Sequence, residues 1–267
     1  MEDILTRIQK DYLSFSKQEK KIADYVLRFS HQLQNMNIGE LAEKTGTSNS
    51  SITRFVKKIG CTNYSDMKFN ISAHSVPVES KKSNSIADEV YIFYQNVIKN
   101  TQYLIDMDKM EKFKEAIKGA KSINLIGASS SGKTAEIFGI RLMRMGLVVK
   151  TYTDPIWMLM QGSIAQPGDL FIAISNSGIT NCVLESVEKA KANGATIISI
   201  TSFSENPIAS MSDLVFYVYN TRFVHNEKFS NSQFSNMYLI DVITTYLLED
   251  DQFRTTLSTT RAVINDL

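Results

Sequence analysis

The sequence has few of the residues that mark several common classes of protein. Among its 267 residues are only two cysteines, three histidines and one tryptophan. Cys61 and Cys182 lie far apart with no C-x-x-C spacing, which excludes a disulfide scaffold and is typical of reduced thiols in a cytosolic chain. Because His31, His74 and His225 are scattered along the chain, they form no metal-binding pattern. The sequence therefore predicts no metal site and no cofactor.

Long apolar runs are also absent. No segment approaches the ~20 consecutive apolar residues that span a bilayer, and the charged start, MEDILTRIQKDY, lacks the apolar centre of a signal peptide. Of all residues, 43% are hydrophobic and 21% are charged, which are ordinary values for a globular protein with a substantial core. We therefore expect a soluble cytoplasmic protein without a membrane partner.

The net charge is close to zero, at +1, which argues against a nucleic-acid contact spread over the whole surface. The charge is unevenly distributed, because residues 1–75 contain 11 Lys or Arg and only 8 Asp or Glu. Between residues 45 and 75 the single acid is Asp66, and the four bases are Arg54, Lys57, Lys58 and Lys68. A local basic patch of this kind can bind phosphates even when the whole molecule is nearly neutral.

The pattern of apolar residues predicts two domains of different class. Helical periodicity fills residues 1–75, residues 76–85 indicate a polar linker, and residues 86–267 form the second domain. After two further helices, short apolar runs alternate with amphipathic helices. The runs are 123–127, 147–152, 169–175, 195–201 and 213–218. The predicted fold class is an all-α domain followed by an α/β domain with a five-stranded, parallel, doubly wound sheet.

Residues 41–60, LAEKTGTSNSSITRFVKKIG, have the pattern of a helix-turn-helix. Gly46 makes the turn and Ser48 caps the second helix, whose apolar residues face inward. The outer face then carries the candidate DNA-binding residues Asn49, Ser50, Thr53, Arg54, Lys57 and Lys58. Short polar side chains near a helix N-terminus suit base edges in a major groove, and cations suit phosphates. A plain helical bundle with a solvated polar face would give the same pattern, so this alternative stays open.

Residues 127–134, GASSSGKT, follow the first apolar run and fit the GxxxxGK[ST] pattern of a P-loop. An enzyme that uses such a loop also needs an acid at the end of a second strand to hold Mg²⁺. The third run ends in Ser175 and Asn176 and the fourth in Thr201 and Ser202, so neither supplies Asp or Glu. An ATP-binding enzyme is therefore the weaker alternative.

A second hydroxyl-rich turn, ISNSGIT at 174–180, also joins an apolar run to a helix. Free backbone N–H groups and the positive end of a helix favour a phosphate at such a turn. The two turns converge only if their strands are neighbours, as in the strand order 2-1-3-4-5. We expect the turns to bind a phosphate group, although serines that merely cap helices would give the same pattern. The candidate ligand-binding residues are Gly127, Ser129, Ser130, Ser131, Ser175, Asn176, Ser177 and Thr180.

The N-terminal part resembles the N-terminal domain of RpiR-family transcription regulators in three segments: KKIADYVL (20–27), residues 41–60 and NYSDMK (63–68). Arg54 and Phe55 match the RF pair of that family. The two phosphate-type turns, together with GATIISIT (194–201), resemble the sugar isomerase (SIS) domain, although Ser129 stands where that family usually has a second glycine. The resemblance implies that Lys133 faces solvent. It also implies that the phosphate of a sugar phosphate is held by Ser131, Ser175, Asn176, Ser177 and Thr180.

The same resemblance draws attention to Glu227. SIS isomerases use a carboxylate in this C-terminal region as a general base, and Glu227 precedes the helix that is expected to cover the ligand site. Apart from His225, no histidine lies nearby to complete an acid–base pair. We therefore interpret Glu227 as a contact to a sugar hydroxyl rather than as a catalytic residue.

The combined pattern predicts a DNA-binding transcription regulator, not an enzyme, whose SIS domain binds a phosphorylated sugar as effector and thereby alters its affinity for a double-stranded DNA operator. We expect a homodimer or higher homo-oligomer because helix-turn-helix proteins usually read paired half-sites. The candidate interface between the copies consists of the helices at 86–119 and 230–264. The alternatives are a sugar-phosphate isomerase, a P-loop-type ATP-binding enzyme and a binding module that never touches DNA.

Overall fold

The computed structural model describes residues 4–74, 85–202, 206–219 and 231–265, which form two compact units. The first unit takes its described residues from Met1–Tyr103 and Tyr219–Ser232, and the second from Leu104–Val218 and Gln233–Leu267. Of the predicted linker, 76–85, only Ser85 belongs to the described residues. The predicted domain boundaries therefore stay a prediction.

The first unit is built from helices, as the sequence predicts. Its α-helices are α1 (Ile4–Lys10), α2 (Lys17–Arg28), α3 (Ile38–Thr45), α4 (Asn49–Lys58), α5 (Tyr64–His74) and α6 (Ile86–Gln102), with short 3-10 helices at Tyr12–Ser14 and Ser30–Asn35. A capping box of Ser16 and Glu19 begins α2, and a second box of Asn37 and Glu40 begins α3. These boxes fix where both helices start, because the side chains of each box accept hydrogen bonds from two backbone N–H groups that would otherwise be unpaired.

The apolar side of α4 forms the centre of this helical core. Ile52, Phe55, Val56 and Ile59 are fully buried, and α4 contacts α2, α3 and α5. The Phe55 ring packs edge-on against Phe15, with 5.3 Å between ring centroids. Since this side of α4 is used for packing, its opposite side faces solvent.

The second unit is an α/β domain around one sheet. Its elements in chain order are α7 (Met107–Gly119), β1 (Ser122–Ile126), α8 (Ser129–Arg144), β2 (Val149–Tyr152), α9 (Pro155–Ser163), β3 (Asp169–Ile174), α10 (Asn181–Ala192), β4 (Thr196–Thr201), α11 (Pro207–Met211), β5 (Leu214–Tyr217), α12 (Phe234–Leu247) and α13 (Asp251–Asn265). All five predicted strands are confirmed to within two residues at either end. Over the described ranges, no helix has both the length and the apolar character needed to cross a bilayer.

The strand order is β2-β1-β3-β4-β5, and every neighbouring pair is parallel, as predicted. One side of the sheet packs on α7, α8, α12 and α13, and the other side packs on α9, α10 and α11. The register pairs Ile126 of β1 with Ala173 of β3, so these two strands end at the same edge. The strand order reverses between β1 and β3, which is where sheets of this type bind ligands.

Candidate functional sites

The predicted helix-turn-helix is formed by α3 and α4. Gly46 ends α3 in a left-handed conformation with φ of 59°, and Ser48 begins α4 as its N-cap. The Ser48 Oγ accepts a hydrogen bond from the backbone N–H of Ser51 at 3.2 Å. The predicted turn and cap are therefore confirmed, and together they set the direction in which α4 leaves the turn.

Five of the six candidate DNA-binding residues line the exposed side of α4. These are Asn49, Ser50, Thr53, Arg54 and Lys57. The Thr53 hydroxyl donates to the Asn49 carbonyl at 2.9 Å, and the Arg54 guanidinium donates to Ser51 Oγ at 3.4 Å. The face combines short polar groups in the first turns with two cations further along, which suits a helix that enters a major groove.

Lys58 lies against α2 instead of joining this face. Its Nζ is 3.1 Å from Glu19 Oε2, donates to the Ser14 carbonyl at 3.4 Å and lies 5.2 Å from the centre of the Phe15 ring. Burial raises the pKa of Glu19, but hydrogen bonds from the Ser16 N–H and from Lys58 outweigh burial and hold this pKa below its usual value. The structure does not bring Lys58 together with the other five candidates, and its role in DNA binding stays a prediction.

The first phosphate-type turn is shorter than its sequence suggests. β1 ends at Ile126 and α8 begins at Ser129, so only Gly127 and Ala128 connect them, whereas the sequence predicts a helix from about residue 132. A Cβ on Gly127 would lie 2.9 Å from the backbone oxygen of Ser131, so glycine is needed for the helix to start this close to the strand. Glycine at this position therefore permits the early start of α8.

The early start places three serines in the first turn of α8, at the positive end of the helix. Ser129 and Ser130 are exposed and Ser131 is half-buried, and within the described residues none of their hydroxyl groups has a hydrogen bond. Ser129 has φ of 53°, a left-handed conformation that strains a non-glycine residue by about 1 kcal/mol. Three hydroxyls beside free N–H groups form a suitable place for an anion.

The same turn does not have the form of a P-loop. The glycine-rich part of a P-loop is an open loop whose backbone N–H groups surround phosphates, but here residues 129–134 are helical. The Lys133 side chain is 75% exposed and pairs with Glu136 at 2.9 Å, one turn further along α8, while Thr134 is buried. This geometry argues against the ATP-binding alternative, and Lys133 faces solvent as the resemblance to the SIS domain implies.

The second turn, from Ser175 to Thr180, is held by its own hydrogen bonds. Ser175 Oγ accepts from the Gly178 N–H at 3.2 Å and donates to Thr180 Oγ1 at 3.4 Å. Ser177 Oγ accepts from the Ile179 N–H at 3.4 Å. Because its hydroxyls bond to its own backbone and side chains, this turn has a defined shape before any ligand binds.

Gly178 allows the second turn to pack against the start of α11. It has φ of 66°, and a Cβ at this position would overlap the side chain of Asn206. Asn206 caps α11, since its Oδ1 accepts from the Ala209 N–H at 2.9 Å, and its Nδ2 donates to Thr201 Oγ1 at 3.3 Å. Glycine is therefore required here for its conformation and for space.

A chain of hydrogen bonds through α12 joins the two turns. Thr134 of α8 donates from Oγ1 to Gln233 Oε1 at 3.0 Å. Asn236 Nδ2 donates to Gln233 Oε1 at 2.8 Å and to Asn176 Oδ1, in the second turn, at 2.7 Å. We call Thr134, Gln233, Asn236 and Asn176 the α12 network. Gln233 and Asn236 were missed as site residues, and the signal that could identify them is their three-residue spacing at the start of a mostly apolar helix.

Three buried polar atoms in or beside the α12 network have no hydrogen-bond partner among the described residues. They are Oδ1 of Asn236, Oγ of Ser202 and Oγ of Ser235. Ser202 adjoins the second turn, because its N–H donates to the Asn176 carbonyl at 3.1 Å. Leaving a buried polar group unpaired costs about 1–3 kcal/mol, so native proteins nearly always satisfy such groups with protein, water or ligand. A polar ligand at this edge of the sheet would find these groups already in position.

The electrostatics of the two turns are simple. Apart from Lys133, residues 127–134 and 174–180 contain no charged side chain, so an anion here would be held by neutral donors and helix N-termini. The predicted ligand contact Glu227 lies outside the described residues. Inside them, no group of three or more His, Cys, Asp or Glu could hold a metal ion.

Two family models match the chain. The model of the rpiR-family helix-turn-helix domain matches residues 2–76, and the model of the SIS domain matches residues 116–241. The first match covers α1 to α5, and the second covers the five strands and both serine-bearing turns.

Several known proteins are similar to most or all of this chain. An uncharacterized HTH-type transcriptional regulator of Clostridium perfringens is 28% identical to this chain, and the match covers 98% of this chain and 99% of that protein. A second such regulator, of Haemophilus influenzae, is 27% identical, and the match covers 94% of this chain and 91% of that protein. The solved structure of the Vibrio vulnificus NanR protein complexed with ManNAc-6P is 25% identical, with a TM-score of 0.63 over 98% of both chains. The α/β fold is shared with the sugar isomerase domain of an RpiR transcription factor from Sphaerobacter thermophilus. That structure is 16% identical to this chain, with a TM-score of 0.60, and the match covers 68% of this chain and 99% of that one.

Proposed function

We propose that the SIS domain of this chain binds a phosphorylated sugar as an effector, because the chain belongs to the RpiR family of helix-turn-helix transcriptional regulators with a SIS domain. The bound sugar alters the affinity of the protein for a double-stranded DNA operator. The observation that carries this proposal is the pair of hydroxyl-bearing turns at the ends of the adjacent strands β1 and β3. The similarity to NanR, which was solved with a phosphorylated sugar, supports the same class of ligand here.

The phosphate binds between the two turns. The first turn of α8 contributes N–H groups and the hydroxyls of Ser129, Ser130 and Ser131, next to the positive end of the helix dipole. The second turn contributes Ser177 and Thr180 at the start of α10. Neutral donors at two helix ends favour a doubly charged phosphate over an uncharged sugar, which gives selectivity for the phosphorylated form.

The sugar part of the ligand lies toward the α12 network. Asn236 and Ser202 carry buried polar atoms without a partner among the described residues, and sugar hydroxyls can both donate to and accept from such atoms. Glu227 is the further candidate contact to a sugar hydroxyl. A phosphorylated sugar that pairs these groups binds more tightly than free phosphate, because it removes a penalty that the free protein carries.

Binding is proposed without turnover. A sugar-phosphate isomerase needs a general base beside the substrate carbonyl, and the candidate carboxylate for that role, Glu227, has no histidine near it in the sequence to complete an acid–base pair apart from His225. The test is to incubate the protein with ketose and aldose phosphates in D₂O and to follow exchange at the carbon next to the carbonyl by NMR. We expect no exchange above the buffer control, and exchange that follows the protein concentration would establish the isomerase alternative.

The DNA-binding side of the proposal rests on α4. Its exposed polar residues Asn49, Ser50 and Thr53 face base edges, and Arg54 and Lys57 contact phosphates. The effector changes operator affinity only if it binds two arrangements of a homodimeric or larger assembly unequally, because equal affinity for both arrangements shifts nothing. This function assigns the protein to the cytoplasm.

A thermal-shift panel tests the effector. We expect phosphorylated sugars, with N-acetylmannosamine 6-phosphate among them, to raise the Tm, and the same sugars without phosphate to leave it unchanged. Ser177→Ala should reduce the shift, while Ser163→Ala, an exposed serine of α9, should not. The proposal fails if no phosphorylated sugar shifts the Tm, or if both variants behave alike.

A mobility-shift titration tests DNA binding, with the DNA upstream of the protein's own gene as probe. Arg54→Ala should weaken binding, and Arg261→Ala, an exposed arginine of α13, should leave it unchanged. Binding should also weaken as salt is raised, because phosphate contacts release counterions. If Arg54→Ala binds like the unmodified protein, α4 is not the reading helix.

A further inference from the structure

A series of side-chain hydrogen bonds joins α2 to the exposed face of α4. The buried Ser51 donates from its Oγ to Gln18 Oε1 of α2 at 3.2 Å. Ser51 Oγ also lies 3.0 Å from Ser48 Oγ, which in turn lies 2.8 Å from Ser50 Oγ. We call Gln18, Ser51, Ser48 and Ser50 the Gln18 network. It ends at Ser50, which is one of the candidate DNA-binding residues on the exposed side of α4.

The direction of every hydrogen bond in the Gln18 network follows from the number of protons available. A serine hydroxyl has one proton and two lone pairs, and an amide oxygen only accepts. Because the proton of Ser51 goes to Gln18, Ser51 Oγ accepts from Ser48, and its other lone pair accepts from the Arg54 guanidinium at 3.4 Å. Ser48 has then used its own proton, so its Oγ accepts from Ser50, in addition to the Ser51 N–H that it caps.

Ser50 therefore offers an acceptor, not a donor, to a ligand. Its one proton is directed to Ser48, and among the described residues its Oγ has that hydrogen bond alone. Thr53, which is exposed one turn further along α4, has the same polarity, because its hydroxyl donates to the Asn49 carbonyl at 2.9 Å. Both hydroxyls lie in the first turns of α4, the part of a reading helix that contacts base edges.

We propose that Ser50 and Thr53 read exocyclic amino groups, namely adenine N6 or cytosine N4, in the major groove of the operator. In this groove the amino groups are the base-edge donors, whereas purine N7, guanine O6 and thymine O4 all accept. Phosphate oxygens also accept, so a hydroxyl whose proton is already used has nothing to donate to the DNA backbone. This inference rests on the DNA-binding part of the proposed function and adds to it the kind of base atom that α4 selects.

Gln18 is the positioning residue of this readout. Its amide oxygen takes the proton of Ser51 and thereby fixes the proton of Ser50 through the Gln18 network. A donor in place of this oxygen would reverse the network, because Ser51 would donate to Ser48 and Ser48 to Ser50. The proton of Ser50 would then be free for an acceptor such as guanine O6 or thymine O4. One side chain of α2 therefore decides which base atom Ser50 selects.

The test measures how tightly the full chain binds DNA from which single amino groups have been removed. The probe is the DNA upstream of the protein's own gene, narrowed by footprinting to the protected bases. Each protected adenine is replaced in turn by unsubstituted purine, and each protected cytosine by pyrimidinone, so that only the amino group is lost. We expect at least one such replacement to weaken binding about fivefold, as one lost hydrogen bond does. At an adenine that responds, an analogue with carbon in place of N7 keeps the amino group and should bind like adenine.

Ser50→Ala and Thr53→Val identify which hydroxyl reads each amino group. The variant that lacks the reading hydroxyl should bind unmodified DNA about fivefold more weakly and lose nothing further on the amino-free base. Because both proteins bind the same duplex, this comparison cancels any weaker base pairing of the analogue. The melting temperature of each variant shows that it is folded.

Substitutions of Gln18 test its positioning role. Gln18→Glu retains an acceptor, so it should keep the fivefold preference for the amino group even though its negative charge lowers the overall affinity. Gln18→Ala releases the Gln18 network, and the preference should fall to about twofold. The control is Gln32→Ala, because Gln32 is exposed in the same unit and also accepts from a hydroxyl, that of Tyr25, at 3.4 Å. It should leave affinity and preference unchanged.

Equal binding of amino-free and unmodified DNA at every protected base would overturn this proposal and leave the DNA-binding function intact. A loss on the amino-free base that persists in both Ser50→Ala and Thr53→Val would also overturn it. The positioning role of Gln18 fails if Gln18→Glu loses the preference or if Gln18→Ala keeps it in full. Failure of the unmodified chain to bind the upstream DNA would overturn the DNA-binding function, and this proposal with it.

Discussion

The two serine-bearing turns have a similar composition and the same place after a strand, but they hold their hydroxyl groups differently. In the first turn, the hydroxyls of Ser129, Ser130 and Ser131 have no hydrogen bond within the described part of the chain. In the second turn, the hydroxyls of Ser175 and Ser177 accept hydrogen bonds from backbone N–H groups of the same turn. The same residue type therefore supplies free donors at one turn and internal structure at the other.

The difference indicates a division of roles within one site. The second turn keeps its shape without a ligand, so it costs little ordering on binding and defines where the phosphate lies. The first turn supplies hydroxyls that gain their first hydrogen bonds from the ligand. Removing a hydroxyl group from the second turn should therefore change stability and affinity together, whereas removing one from the first turn should change affinity alone.

The largest effect is expected from Gly178→Ala. The new Cβ would overlap Asn206, and φ of 66° disfavours alanine, so we expect a loss of about 3 kcal/mol in the free energy of unfolding. Urea unfolding followed by circular dichroism measures this loss. The control is Gly119→Ala in the last position of α7, where a Cβ meets no atom within 4 Å. Equal stability of the two variants would contradict the close packing of the second turn on α11.

Asn236→Ala should have the next largest effect. It removes the two hydrogen bonds that link α12 to Gln233 and Asn176 and leaves a small cavity, so we expect about 2 kcal/mol of destabilisation and weaker binding of the sugar phosphate. The matched control is Asn193→Ala, because Asn193 is exposed and also donates two hydrogen bonds. This substitution should change the free energy of unfolding by less than about 0.5 kcal/mol. Unfolding and calorimetric titration of both proteins measure these quantities. An unchanged affinity would separate the α12 network from the ligand site.

The two turns themselves are compared with Ser131→Ala and Ser175→Ala. Each should weaken the binding of the sugar phosphate about fivefold to tenfold, which corresponds to about 1 kcal/mol for one lost hydrogen bond. Only Ser175→Ala should also lower the melting temperature, because its Oγ bonds within the turn. A matching fall in melting temperature for Ser131→Ala would show that the first turn is internally bonded too.

The smallest effect is expected from Ser129→Gly. Glycine relieves the left-handed strain at φ of 53° but adds flexibility to the unfolded chain, so we expect a net stabilisation of up to about 1 kcal/mol. Ser130→Gly, in the same helical turn, is the control and should destabilise, since Ser130 has no positive φ. A destabilised Ser129→Gly protein would contradict the conformation of the first turn.

The strand pattern of the second unit was predictable because five short apolar runs between amphipathic helices allow little besides a parallel sheet. The adjacency of β1 and β3 then followed from the common strand order, and with it the meeting of the two turns. The cap of α4 at Ser48 was predictable for a similar reason, since the signal is local.

Other features depend on contacts that are distant in sequence. The early start of α8 depends on the close approach of its backbone to Gly127, and the P-loop pattern of the sequence gives no sign of this contact. Asn236 acquires its role only when the sheet places Asn176 beside α12. Lys58 has the same charge as Lys57, and packing against α2 alone directs it to Glu19. The spacing of such polar residues can place them on one side of a helix, but it does not show which distant residue each of them will contact.

The most direct measurement of the central claim is a double-mutant cycle for ligand affinity across the two turns. Calorimetry would compare the unmodified chain, Ser131→Ala, Ser177→Ala and the double variant, each titrated with the phosphorylated sugar that gives the largest thermal shift. If both turns hold one phosphate, each single substitution weakens binding and the double variant departs from additivity by at least about 0.5 kcal/mol. Strictly additive losses, or no loss at one of the two positions, would contradict a shared site.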